Sequence, residues 1–69
     1  MTTQYWKYVT DSGYVRTVFR ETTEPYTFER FSKVWLPAFE YYERVMTEPN
    51  FELIPETEAM ELIAPYMSD

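Results

Sequence analysis

The only glycine of this chain, Gly13, ends the tripeptide Asp11-Ser12-Gly13 between two runs rich in aromatic and β-branched residues, Gln4 to Thr10 and Tyr14 to Arg20. Three-residue hairpin loops commonly place Gly last, in the left-handed conformation that forms a bulge, so the spacing predicts an antiparallel β-hairpin. In that pairing Val9 lies opposite Val15, Lys7 opposite Thr17 and Tyr5 opposite Phe19 on one face. Thr10 meets Tyr14, Tyr8 meets Arg16 and Trp6 meets Val18 on the other. Both faces carry large apolar groups. A sheet covered by helices on one side hides only one face, so part of this aromatic surface is expected to remain exposed.

Thr22-Thr23-Glu24-Pro25 interrupts the pattern, because Pro restricts its predecessor and has no N–H for a sheet ladder. Beyond it, Tyr26, Phe28 and Arg30 alternate with Thr27, Glu29 and Phe31, and a third strand over 26–32 is the preferred reading. Helical spacing of Phe28, Phe31, Trp35, Ala38, Tyr42 and Val45 keeps a helix open for 26–36, with Pro37 the main objection to a continuous one. Pro37 suits the first position of a new helix, where a missing N–H costs nothing. A helix near 38–46 then carries Phe39, Tyr42 and Met46 as its apolar stripe, supported by Glu40 and Arg44 at i, i+4. Thr47-Glu48-Pro49-Asn50 ends it, and Phe51 to Ile54 reads as a short strand or a packed loop. A last helix near 56–64 follows Pro55, with Glu56 and Glu58 in its first turn, Ala59, Leu62 and Ile63 as its apolar members with Tyr66 a further candidate, and Pro65 as its stop. The fold class expected is α+β: one domain over 1–69, β-rich over 4–32 and helical and acidic over 37–66. Its architecture would be a β-hairpin or three-stranded meander packed by two short helices.

Sixty-nine residues allow a single domain that buries only about 60% of the surface its unfolded chain exposes. A composition of 45% hydrophobic and 20% aromatic residues nevertheless places the chain with folded proteins. With no Cys and no His, disulfides, thiolate chemistry, the usual structural zinc sites and histidine bases are all excluded. The N-terminal residues lack the pattern of a signal peptide and no apolar run approaches a membrane span, so a cytoplasmic location without membrane contact is expected. Charge is divided unevenly. Residues 1–33 hold Lys7, Arg16, Arg20, Arg30 and Lys33 against Asp11, Glu21, Glu24 and Glu29. Residues 34–69 hold Arg44 alone against Glu40, Glu43, Glu48, Glu52, Glu56, Glu58, Glu61 and Asp69.

The ordering of elements resembles a type of short, acidic hypothetical protein of actinobacteria and their phages. The similarity is carried by Tyr5-Trp6-Lys7-Tyr8-Val9, by Val15 to Arg20 followed by Glu21, by Trp35-Leu36-Pro37, and by Ile54-Pro55-Glu56-Thr57-Glu58-Ala59-Met60-Glu61-Leu62-Ile63. Phe39-Glu40-Tyr41-Tyr42 is more aromatic than that type. The resemblance implies no catalytic residue and no established activity.

Two surfaces are therefore candidates. Trp6, Tyr8, Tyr14 and Arg16 would form an aromatic sheet face for a protein partner or a second copy, since Trp, Tyr and Arg dominate binding hot spots. The competing role for these side chains is core. Glu56, Glu58 and Glu61 would belong to an acidic face that imitates the charge of nucleic acid and inhibits a DNA-handling protein, against the commoner role of a solvated face. Salt separates the two ideas, because an apolar contact survives ~0.5 M salt and exposed charges are screened there. Nucleic-acid binding through stacking aromatics is opposed by a net charge of −6 without a cluster of Lys and Arg. The carboxylate pairs Glu40/Glu43 and Glu58/Glu61 are the only acid–base chemistry present, and no pocket around them is indicated. Neither an enzyme nor a cofactor is expected. A homo-oligomeric structural protein is the third reading.

Overall fold

The computed structural model describes residues 2–67. Its elements are β1 Thr3–Val9, β2 Val15–Thr22, β3 Thr27–Ser32, β4 Val34–Pro37, α1 Tyr42–Thr47, β5 Phe51–Ile54 and α2 Glu56–Met67, with a 3-10 turn Phe39–Tyr41 leading into α1. All five strands join one antiparallel sheet in the order β4-β3-β2-β1-β5. This corrects the expected hairpin or three-stranded meander. The class remains α+β with two helices, but β4 is an added edge, and Phe51–Ile54 pairs with β1 to make the other.

The first hairpin closes as its loop chemistry dictates. Gly13 stands at φ 86 and donates to the Thr10 carbonyl at 2.9 Å, while Thr10 donates to the Tyr14 carbonyl at 2.8 Å. Val9 pairs with Val15 as expected, but Tyr8 then pairs with Thr17, Lys7 with Val18, Trp6 with Phe19 and Tyr5 with Arg20. Arg16 is the extra residue of a β-bulge, and a one-residue slip exchanges the faces of everything beyond it. Packing favours the slipped register. It gathers Phe19 with Phe28 and Phe51, ring centroids 5.7 and 5.5 Å away, and places Val18 beside Tyr5 and Ile54.

The preferred strand over 26–32 is β3. The chain reverses after it at Lys33, which holds φ 69, and Val34–Pro37 returns along β3. Pro37 thus ends a strand and does not begin a helix. On an edge strand its missing N–H removes no ladder bond, and Ala38 restores the line by donating to the Phe28 carbonyl at 2.8 Å.

Helices cover both faces of the sheet, so the expectation of a single hidden face is also corrected. On one face Tyr5, Val18 and Ile54 pack against Ala59 and Ile63 of α2, with Phe31, Trp35 and Leu62 at the margin. On the other, Phe19, Phe28 and Phe51 pack against Ala38 and Val45, with Trp6, Tyr8 and Tyr41 at the margin. The 3-10 turn and α1 therefore point Ala38, Tyr41 and Val45 inward. Phe39, Tyr42 and Met46, the stripe expected to face the core, are 52%, 38% and 46% exposed. Finally, α2 runs through Pro65 to Met67. A helical φ suits proline, and the one amide bond it removes falls in the last turn, after Leu62 and Ile63 have docked.

Candidate functional site

The four residues of the expected aromatic face separate. Trp6 is half-buried against the Phe19 cluster, and its indole Nε1 is a buried donor with no partner among the described residues. Truncating Trp6 would therefore disturb the core before it tested a surface. Tyr14 lies at the hairpin end, 66% exposed, with its N–H donating to Thr10 Oγ1 at 3.2 Å. Tyr8 and Arg16 do come together, in a concavity at the hairpin end of the sheet on the face covered by α1.

That concavity measures about 240 Å³. Its floor and walls are Tyr8 and Phe51, edge to face at 4.8 Å, with Phe19, Thr17 and Tyr41, and its cations are Arg16, Arg30 and Arg44. Three of the four arginines of an acidic chain thus line one depression, and among the described residues no carboxylate lines it. The strands place them by parity and by the bulge. Arg30 shares the face of its register partner Phe19, and the bulge turns Arg16 into the same end. Arg44 arrives from α1, one turn beyond Tyr41.

Two of these guanidiniums are ordered by aromatic rings. Arg30 stands 5.7 Å and Arg44 5.4 Å from the centre of the Tyr41 ring, and Arg44 is also 5.9 Å from that of Phe51. Arg44 Nε donates to Glu48 Oε2 at 2.9 Å and its Nη2 to Oε1 at 3.3 Å, and that carboxylate raises the Arg44 pKa. Among the described residues, Arg16 and Arg30 form no ion pair. Arg30, Tyr41, Arg44 and Phe51 escaped the sequence reading because four different elements deliver them. The spacing of Tyr41 and Arg44, one helical turn apart, was the available signal.

A second feature lies on the other flank of α1. Tyr26, Phe39 and Tyr42 form an exposed cluster, with Tyr26 6.0 Å from Phe39 and 6.1 Å from Tyr42, and Met46 continues it one turn along the helix. The Tyr26 hydroxyl has its pKa pushed up to about 12, chiefly by loss of solvent, with the Glu21 carboxylate and Tyr42 adding to the rise.

The acidic candidates lie on α2, across the sheet from both features. Glu58 takes the Lys7 ammonium at 2.6 Å, which raises the Lys7 pKa, and Glu56 accepts the Tyr5 hydroxyl at 3.5 Å. Glu61 is exposed. Two of the three carboxylates therefore have partners within the fold. Arg20, on the same face, is held by Glu29 at 2.7 Å and lies 4.3 Å from the Trp35 ring centre. No group of three acidic side chains among the described residues is placed to hold a metal ion. No helix among them is long and apolar enough to cross a membrane. Compared with family models, curated proteins and solved structures, the chain matches none.

Proposed function

We propose that this chain is a non-catalytic protein-interaction module whose contact surface is the outer flank of α1. The observation that carries the reading is the rotation of that helix. With the turn before it, it buries Ala38 and Val45, half-buries Tyr41, and leaves Phe39, Tyr42 and Met46 in solvent beside Tyr26. Large side chains at i, i+3 and i+7 form the pattern by which a helix enters an apolar groove, and contiguous exposed apolar surface of this kind marks interaction sites.

Charge defines the partner. Glu40 and Glu43 border the stripe on the helix and Glu21 lies beside Tyr26, so the reading calls for a protein groove with an apolar floor and a basic rim. A second copy is the weaker occupant, because two chains of net charge −6 repel on approach. The test is capture of a stoichiometric partner from nuclease-treated lysate by the tagged chain at low and at ~0.5 M salt, where exposed charges are screened. Phe39→Ser and Met46→Gln are compared with the wild type. Both side chains lie outside the core, so the variants should remain folded and lose the partner, while the wild type retains it at high salt. Undiminished capture by both variants would remove this surface from consideration, and retention of the chain by itself alone would replace the reading with self-association.

A further inference from the structure

We propose that the concavity between Arg16, Arg30 and Arg44 is a binding site for a phosphate monoester carried on an aromatic or apolar group. It lies on the flank of α1 opposite the contact stripe and does not depend on that surface having a partner. Three observations support it. The first is charge. Bringing three guanidiniums to one depression is unfavourable by mutual repulsion, and Glu48, among the described residues the single carboxylate bonded to any of them, leaves a local excess of two positive charges. A phosphate monoester carries a charge of about −1.5 to −2 at neutral pH and matches that excess, whereas a carboxylate carries one.

The second observation is preorganisation. Arg30 and Arg44 both lie against the Tyr41 ring, which orders their planar groups; Glu48 takes the Nε and Nη2 of Arg44, while Arg30 keeps its fork, and guanidinium forks suit the paired oxygens of phosphate. Ring stacking would also explain these two residues as packing alone. It does not explain Arg16, which is exposed at the bulge and, among the described residues, has neither an ion pair nor a ring beneath it. The third observation is the lining. Tyr8, Tyr41 and Phe51 line it with aromatic rings beside the guanidiniums, and a volume of about 240 Å³ accommodates both the phosphate and a ring that carries it.

The probe is phenyl phosphate, titrated into isotope-labelled protein and followed by NMR, with benzoate and inorganic phosphate in parallel. Saturable shifts centred on Tyr8, Arg16, Arg30, Tyr41 and Arg44 are expected, with benzoate and inorganic phosphate each weaker. Arg16→Gln and Arg30→Gln should each weaken phenyl phosphate by about tenfold, the effect of losing one charge-assisted contact. Arg16 is exposed, so its variant tests the site even if Arg30→Gln disturbs the fold. Lys33→Gln removes one positive charge outside the concavity and should leave binding unchanged. The proposal is overturned if no saturation is reached by about 10 mM, a concentration at which even a weak specific site would be filled. It is also overturned if benzoate binds equally well, or if Lys33→Gln costs as much as Arg16→Gln. Tighter binding of an oligothymidylate, with shifts spreading beyond the concavity, would replace it with recognition of a nucleic-acid backbone.

Discussion

At the scale of single residues, Tyr26 combines an exposed ring with a hydroxyl whose ionisation is disfavoured. The side chain is 45% exposed, yet loss of solvent, the Glu21 carboxylate and Tyr42 together push its pKa up to about 12. Tyr5 is also raised, first by burial and then by Glu56. In the unfolded chain tyrosine ionises near pH 10, so between pH 10 and about 12 the unfolded state loses a proton that folded Tyr26 keeps. By linkage, its contribution to stability is complete below pH 10 and is lost as pH rises through about 12. Absorbance of tyrosinate should therefore show a late-titrating component. Glu21→Gln should bring Tyr26 part of the way back towards 10, because the solvent effect, the larger cause, remains. A titration curve unaltered by Glu21→Gln would show that this carboxylate does not act on Tyr26.

Among the described residues the backbone enters the left-handed region at three turn positions, Gly13, Glu24 and Lys33, and the first and last of these can be compared directly. Gly13 holds φ 86 at no steric cost, whereas Lys33, reversing the chain between β3 and β4, holds φ 69 with a side chain attached. A residue with a Cβ is disfavoured there by roughly 1–2 kcal/mol, while Gly adds unfolded-chain entropy worth about 0.5–1 kcal/mol. Lys33→Gly should therefore stabilise by about 0.5 kcal/mol and Gly13→Ala destabilise by a similar or larger amount. Urea midpoints would show the opposite signs, and a fall for Lys33→Gly would mean that its side chain contributes more than its backbone costs. These turns also mark what was legible in advance. Asp11-Ser12-Gly13 announced its hairpin because the loop chemistry is local. The bulge at Arg16 was not announced, since the choice of face rests on Phe28 and Phe51, distant in sequence. Pro37 misled because an edge strand tolerates proline as readily as a helix start does, and Phe51–Ile54 could be read as extended but not assigned to β1. Of the arginine-lined concavity, Tyr8 and Arg16 were singled out; Arg30, Tyr41 and Arg44 required the register and the rotation of α1. The same rotation turned the Phe39, Tyr42 and Met46 stripe from expected core into surface, since periodicity finds an apolar stripe without saying which of two the sheet will cover.

For the whole molecule, the arrangement that matters is one sheet shared by two hydrophobic clusters. Alternate residues of the same strands serve opposite faces, with Tyr5 and Val18 on the α2 side and Phe19 on the α1 side. Neither cluster can loosen without releasing strands that the other needs, so the domain should unfold as a unit. The two tryptophans report on this, because Trp35 packs at the margin of the α2 cluster and Trp6 at the margin of the α1 cluster. Variants with one tryptophan each, Trp6→Phe and Trp35→Phe, give a separate optical probe of each face. Into these backgrounds one introduces Ile63→Ala on the α2 side or Phe28→Ala on the α1 side, residues 2% and 0% exposed. Truncations of this kind cost about 2–5 kcal/mol. Small domains have about 5–15 kcal/mol in total, so each should lower the urea midpoint substantially. If the sheet couples its faces, the remaining tryptophan and the far-UV circular dichroism will move together in every variant, whichever face was truncated. If Ile63→Ala releases Trp35 at lower urea than Trp6, α2 is a separately melting layer on a sheet that α1 can hold alone.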